Sequence, residues 1–347
     1  MRKLIMSVLA ICLSVPALAQ SVPAPQMVPQ PGPVTKGPYQ PQALLPGGIV
    51  MPLYPAGSPF LNARRVSEAE KYTMEPLVPG RVQRIVNIHN PSIEVHLAGA
   101  NNTGTAIILA PGGGHSTLVV GLEGTDPVPY FFQYGINTII LRNRLRSDGY
   151  EPKTDGVYDL QQAIRLVRAH AAEWKIDPHK IGAVGFSAGA ELTMASAIQY
   201  PEFDRKNGGA DPLAGVSSRP DFVGSIYPGP SLFTPAWTSK NGVPPIPRDA
   251  PPSFIAGAGW QDKVHAVWAD EYFSAMLNAG TPNVEMHIYA RGTHGNGLQY
   301  RDFTGEGTWQ DRFIQWMRDL GFFSKSSVET LAAQDVAAFV KAPPPKP

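Results

Sequence analysis

Ten residues constrain this chain more than any others: Lys180–Ile181–Gly182–Ala183–Val184–Gly185–Phe186–Ser187–Ala188–Gly189. The apolar run reads as a strand, Gly185-x-Ser187-x-Gly189 follows at once, and Ala190–Glu191–Leu192–Thr193–Met194–Ala195 continues with helix formers. Strand, G-x-S-x-G and helix in that order make a nucleophile elbow. The spacing has a steric reason. Ser187 must sit on a strained turn if its hydroxyl is to stand clear of the sheet, and a side chain two positions to either side would strike the flanking strand or helix. Gly185 and Gly189 relieve that crowding, and the helix N-terminus behind Ser187 favours negative charge beside it. A close-packed strand-to-helix turn yields the same pentapeptide without any chemistry, so the rest of the chain has to decide.

A serine on such a turn calls for an acid and then a histidine further along the chain. Of the later acids, which include Asp204, Asp211, Asp221, Asp249, Asp270 and Glu271, only Asp262 lies just past a buried-type strand, Ser253–Ala258. Its ordinary alternative is a helix N-cap or turn aspartate, because a helical pattern from Ala266 to Leu277 follows. Three histidines remain. His265 shares the loop of Asp262 and is too close to it to approach from the far side of the serine, while His287 lies inside the strand pattern Val284–Tyr289. His294, in the glycine-rich loop Arg291–Gly297 directly after that strand, is the expected base.

An oxyanion site completes the pattern. The strand Thr105–Ala110 runs into Pro111–Gly112–Gly113–Gly114–His115, where glycines let backbone N–H groups face a ligand with no side chain in the way. Ala188 is expected to give one donor and Gly113 or Gly114 the other. Reading the triple glycine as a phosphate-binding loop is the weaker alternative, since no Lys-Ser/Thr follows it and the G-x-G-x-x-G spacing is missing. His115 precedes Ser187 and reads as a loop-shaping or substrate-contacting residue rather than a base.

Residues 1–19 read as a secretory leader, with Arg2 and Lys3 first, a short apolar stretch from Leu4 to Val15, and Ala17–Leu18–Ala19 as the cleavage site. The apolar stretch is too short to span a membrane as a helix. The single cysteine, Cys12, lies within the leader, so the mature chain is expected to be an exported, disulfide-free protein, periplasmic or secreted. The formal charge of +1 becomes −1 once Arg2 and Lys3 are removed, which points to neither nucleic acid nor a membrane surface as partner. Residues 20–63, rich in Pro and Gln, read as an arm or linker with no fold of its own; 64–323 as one domain; and 324–347 as a tail.

Within the domain, strand patterns at Arg84–His89, Ile93–Leu97, Ala106–Leu109, Thr138–Leu141, Ile181–Gly185, Phe222–Tyr227, Ser253–Ala258 and Glu285–Tyr289 alternate with helical ones. Asp155–Trp174 carries Val157, Leu160, Ile164, Val167, Ala171 and Trp174 on one face, and Trp309–Leu320 carries Trp309, Phe313, Trp316 and Leu320. Alternating β and α units predict a mostly parallel sheet of about eight strands with helices on both faces, and the elbow makes the expected fold that of an α/β-hydrolase. The first two strands, joined at Asn90–Pro91–Ser92, are expected to pair as an edge hairpin.

The blocks Thr103–His115, Glu123–Gly124–Thr125–Asp126–Pro127, Gly135–Arg142 and Asp177–Leu192 together resemble the bacterial secreted α/β-hydrolases known as acetyl xylan esterases and related carbohydrate esterases. The resemblance runs from about Val82 to Leu320. It implies a serine esterase acting on acylated carbohydrate or small esters, with Ser187, His294 and Asp262 as the triad and no metal or organic cofactor. Two departures, Ala190 where a glycine is frequent and Arg142–Asn143–Arg144–Leu145 in place of a Tyr-Arg-Leu type sequence, are expected to alter the pocket. The segments 200–221 and 229–249 read as pocket-forming insertions. Trp237 and Trp260 offer faces for a sugar ring, with ordinary packing as the alternative for each. Glu191 is either a surface helix carboxylate or a pocket residue. An exported oligopeptidase-type peptidase, a feruloyl or other short-chain esterase, and a non-catalytic carbohydrate-binding protein are the competing readings. The first would carry a bulky gating domain, and the last would normally have lost a member of the triad.

Overall fold

Strand β5 (Ala106–Ala110) is buried along its whole length. Ala106, Ile108 and Ala110 enter one apolar cluster while Ile107 and Leu109 enter another, so both faces of the strand need a covering layer. The computed structural model, which describes residues 37–206, 211–235, 237, 242–298, 305–324 and 328–343, supplies those layers with helices. On one face lie α2 (Val157–Ala169), α3 (Ala188–Lys206) and α4 (Lys263–Asn278). On the other lie α1 (Pro127–Phe132), α5 (Trp309–Asp319) and α6 (Leu331–Lys341).

The main sheet has eight strands in the order β1 (Ile49–Pro52), β4 (Ser92–His96), β6 (Asn137–Arg142), β5, β7 (Ile181–Phe186), β8 (Val223–Ile226), β9 (Ser253–Ala258) and β10 (Val284–Tyr289). From β6 to β10 every neighbouring pair is parallel. Only β4 runs against the rest, pairing antiparallel with both β1 and β6. This is the expected α/β-hydrolase architecture.

Three expectations need correction. The strand before Asn90 forms no hairpin with β4: β3 (Val82–Val86) pairs antiparallel with β2 (Lys71–Met74) in a separate two-stranded sheet. That small sheet covers its own apolar cluster of Leu44, Val82, Ile85, Ile88, Leu118, Val120 and Leu145. Of the arm expected at 20–63, residues 20–36 lie outside the described residues, and 37–63 are part of the domain, since β1 is an edge strand of the main sheet and Leu53 and Tyr54 enter the core. The tail of 324–347 contains α6, whose Ala332 and Val336 are buried. The leader, 1–19, lies outside the described residues. Among those described, no helix is long and apolar enough to cross a membrane.

Candidate active site

Because β5, β7, β9 and β10 are parallel, the segments that follow them leave the same edge of the sheet. Those segments carry the triple glycine, Ser187, Asp262 and His294. At the end of β7, Ser187 has φ 51°, a left-handed conformation costing a non-glycine residue about 1–3 kcal/mol. Its N–H donates to the Ile226 carbonyl at 3.0 Å, and its carbonyl accepts from Ala190 at 3.0 Å and Gly229 at 3.2 Å, so the turn is held from three sides. A Cβ on Gly185 would collide with the Gly189 carbonyl, and one on Gly189 with the Ala110 carbonyl oxygen.

Ser187, His294 and Asp262 come together in a continuous chain. Ser187 Oγ lies 2.8 Å from His294 Nε2, and His294 Nδ1 lies 2.9 Å from Asp262 Oδ2. With the imidazole proton on Nδ1, Nε2 is left as acceptor for the serine hydroxyl. Burial alone would raise the Asp262 carboxyl, but hydrogen bonds from His265 and then His294 hold it below the usual carboxylate range. Asp262 does occupy the N-cap position of α4, yet its side chain makes no capping bond. Both its oxygens go to imidazoles.

The glycine loop runs beside the serine, where a Cβ on Gly112 would lie 2.9 Å from Ser187 Cβ, and Ala188 follows the serine directly. The N–H groups of Gly113, Gly114 and Ala188 take no acceptor among the described residues, whereas Gly112 N–H is committed to Glu123 Oε2 at 2.6 Å. Gly113 has φ 125° and a Cβ there would collide with the Thr117 carbonyl oxygen, so the loop is built on glycine. His115 Nε2 lies 3.0 Å from Glu191 Oε2. That pair ties the glycine loop to the first turn of α3.

The two tryptophans differ. Trp260 is 77% exposed, two residues before Asp262. Trp237 is buried in the core with the Lys153 ammonium over its ring at 5.0 Å, which corrects its expected use as a sugar platform. Arg142 and Arg144 do not shape a pocket, as the departure from the family pattern had suggested. Both are buried in ion pairs, Arg142 with Glu70 and Glu94, Arg144 with Asp159.

A BD-FAE family model matches residues 102–214. An acetylxylan esterase of Xylanibacter ruminicola is 30% identical over 271 residues, which make up 74% of this chain and 51% of that one. Endo-1,4-beta-xylanase B of Butyrivibrio fibrisolvens is 25% identical, across 59% of this chain and 34% of its own length. The chain thus spans about half or less of these curated relatives. Among solved structures, an acetyl ester-xyloside bifunctional hydrolase from Caldicellulosiruptor lactoaceticus superposes with a TM-score of 0.63 at 25% identity, covering 81% of this chain and 99% of that one. A thermophilic esterase from Thermogutta terrifontis, solved with propionate bound, shares the fold at a TM-score of 0.56 and 21% identity, covering 69% and 92%. The chain belongs to the acetyl xylan esterase-like α/β-hydrolases.

In this acetyl xylan esterase-like chain, sequence reasoning missed four residues around the site. Glu123, buried in a π-helical turn (Gly121–Thr125), accepts from Gly112 N–H and, at 2.9 Å, from Tyr227 O–H. Tyr227 O in turn accepts Gly297 N–H of the histidine loop at 2.9 Å, and its ring meets His294 edge-on at 5.1 Å. Burial raises the Glu123 carboxyl, against the pull of both donors. The available signal was a lone acid in the otherwise apolar run Leu118–Gly124. Glu306 is buried against the backbone of Gly292, at the base of the His294 loop; burial first, and then the charge of Asp262, push its carboxyl up to about 7. His265 was set aside as a base for its closeness to Asp262, the same closeness that lets it bond the carboxylate.

The donor atoms of Asp262, His265 and His294 lie within 4.8 Å of one another, the one such trio among the described residues. It is a poor metal site. The two rings are stacked 3.8 Å apart and tilted by only 22°, so no ion can sit in both ring planes at the roughly 2.1 Å a metal–imidazole bond requires.

Proposed function

We propose that the chain is an exported serine carboxylic-ester hydrolase that removes acetyl groups from acylated plant-wall polysaccharide such as xylan. The observation that carries this reading is the unbroken chain from Ser187 Oγ through His294 to Asp262, at 2.8 and 2.9 Å. His294 Nε2 takes the hydroxyl proton as Oγ attacks the acyl carbonyl, and Asp262 orients the imidazole and stabilises its cation. The carbonyl oxygen acquires its negative charge facing the N–H groups of Ala188 and of Gly113 or Gly114. His294 returns the proton to the departing sugar oxygen, leaving the acyl group on Ser187. Water, deprotonated by the same imidazole, then attacks the acyl carbon; the serine takes back its proton and the carboxylic acid leaves. These steps call on no metal or organic cofactor.

The substrate class rests on similarity to an acetylxylan esterase and to an acetyl ester-xyloside bifunctional hydrolase, and on the exposed Trp260 indole, a flat apolar face suited to a pyranose ring beside the site. Export rests on the leader of residues 1–19. The test is a fluorophosphonate label together with a substrate panel run with and without EDTA. Ser187 should be labelled, short-chain esters and acetylated xylan should be cleaved, and the chelator should change nothing. A folded protein that never labels refutes the enzyme reading. Cleavage of feruloyl esters with acetyl esters untouched keeps the mechanism and replaces the substrate, and a preference for aminoacyl amides makes it a peptidase.

A further inference from the structure

The Asp262 carboxylate serves two imidazoles. His294 Nδ1–H donates to Oδ2 at 2.9 Å and His265 Nδ1–H donates to Oδ1 at 2.5 Å. His265 stands one turn into α4, and its backbone N–H returns to the Asp262 carbonyl at 3.1 Å, so donor and acceptor are fixed by the same helical turn. Its ring stacks on that of His294, centroids 3.8 Å apart, with Trp268 edge-on against its own ring at 5.0 Å. Tyr227 meets the His294 ring edge-on at 5.1 Å. The base is therefore stacked on one ring and met edge-on by another.

We propose that His265 is a positioning residue for the reaction, holding Asp262 Oδ1 so that Oδ2 stays aimed at His294. The role rests on the serine esterase reading above. A carboxylate bonded through one oxygen can pivot about its Cβ–Cγ bond; a second charge-assisted bond on the other oxygen removes that freedom. Because both imidazoles donate from Nδ1, one carboxylate also fixes both tautomers, leaving His294 Nε2 as acceptor for the serine proton. Misorientation of a base costs catalysis far more than binding, so the loss should appear in kcat and not in KM.

Three replacements in the full chain separate the hydrogen bond from the stack, each measured for kcat and KM on para-nitrophenyl acetate. His265→Ala removes both and should lower kcat by about 10- to 100-fold, the scale of one lost bond to a buried charged acceptor, with KM unchanged. His265→Asn puts an amide nitrogen where Nδ1 stood and should recover most of kcat. His265→Phe restores the ring without the donor and should not. Recovery by Phe but not Asn makes the residue a packing wall and overturns the proposal, as does a kcat indifferent to all three. Equal losses in all three variants with a fallen melting temperature reduce His265 to a fold residue and also overturn it. A wild-type protein that neither labels with fluorophosphonate nor turns over ester removes the esterase reading, and this role with it. With a labelled, active wild type, the three variants alone decide the role of His265.

Discussion

At the scale of single residues, the decisive comparison is between members of the hydrogen-bonded chain. Replacing Ser187 or His294 by Ala should lower ester turnover by about 10⁴-fold or more with folding intact, since each removes a reacting atom. Asp262→Asn should be severe but milder, because it disturbs only the tautomer and aim of His294. The neighbouring acids are controls. Glu271 accepts from the Thr234 hydroxyl and Asp270 faces Ser274 on the exposed side of α4, so Glu271→Gln or Asp270→Asn should leave kcat near wild type. If either hurts more than Asp262→Asn, the acid is misassigned. Glu306 gives a pH-dependent prediction. Unfolded, it titrates near 4.5; folded, at about 7. Between those values the folded state holds a proton that the unfolded state has released, so this group's contribution falls as pH rises through the window and is fully destabilising above it. Glu306→Gln should raise the melting temperature above about pH 7 and flatten its decline across the window; a variant whose pH profile overlays the wild type would show that Glu306 is not the titrating group.

At the scale of elements, the loops of the site are fastened to each other as well as to the sheet. Gly112 N–H and Tyr227 O–H meet on the Glu123 carboxylate, Gly297 N–H meets Tyr227 O, and Trp309 Nε1–H meets the Gly297 carbonyl at 2.9 Å. Glycine loop and histidine loop thus share one polar chain. Glu123→Gln and Tyr227→Phe should each lower kcat, and together cost less than their sum, with a coupling of about 0.5–3 kcal/mol in a double-mutant cycle. Strict additivity would mean that the two loops are positioned independently. This chain marks the limit of what sequence can disclose. Ser187, Asp262 and His294 were legible because each follows a strand with its own local pattern, and chain order ranks the candidates. Glu123 and Tyr227 meet across 104 positions with no periodic signature, so only the fold brings them together. The β3 strand misled for a related reason: period-two alternation says that a segment is extended, not which neighbour it takes.

At the scale of the whole molecule, the N-terminal segment changes from appendage to structural part. Composition could not reveal this, because the arm is held by a few buried side chains, Leu44, Leu53 and Tyr54 among them, and by backbone groups that leave no mark in the sequence. Leu44 and Leu45 N–H groups donate to the Glu94 carboxylate at 2.7 and 3.0 Å, and Arg142, itself paired with Glu94 and Glu70, donates to the Gln42 carbonyl at 2.5 Å. Further along, Tyr54 O–H reaches Asp159 at 3.1 Å, and Arg144 donates to the Phe60 carbonyl at 2.9 Å. Proline suits such a segment, since Pro52 ends β1 at an edge where its missing N–H is not needed. The consequence is sharp. Deleting residues 37–59 would bare the edge of β4 and strip Glu94 of two donors in a site with no access to water, so the truncated chain should be insoluble or melt far below the full one. Glu94→Gln is the gentler probe: it leaves the Arg142 guanidinium buried with one carboxylate fewer, a loss of about 3–5 kcal/mol. Denaturant unfolding measures both. A truncation as stable as the intact chain would return the arm to the status of a linker, and a Glu94→Gln variant of unchanged midpoint would mean that Glu70 alone neutralises Arg142.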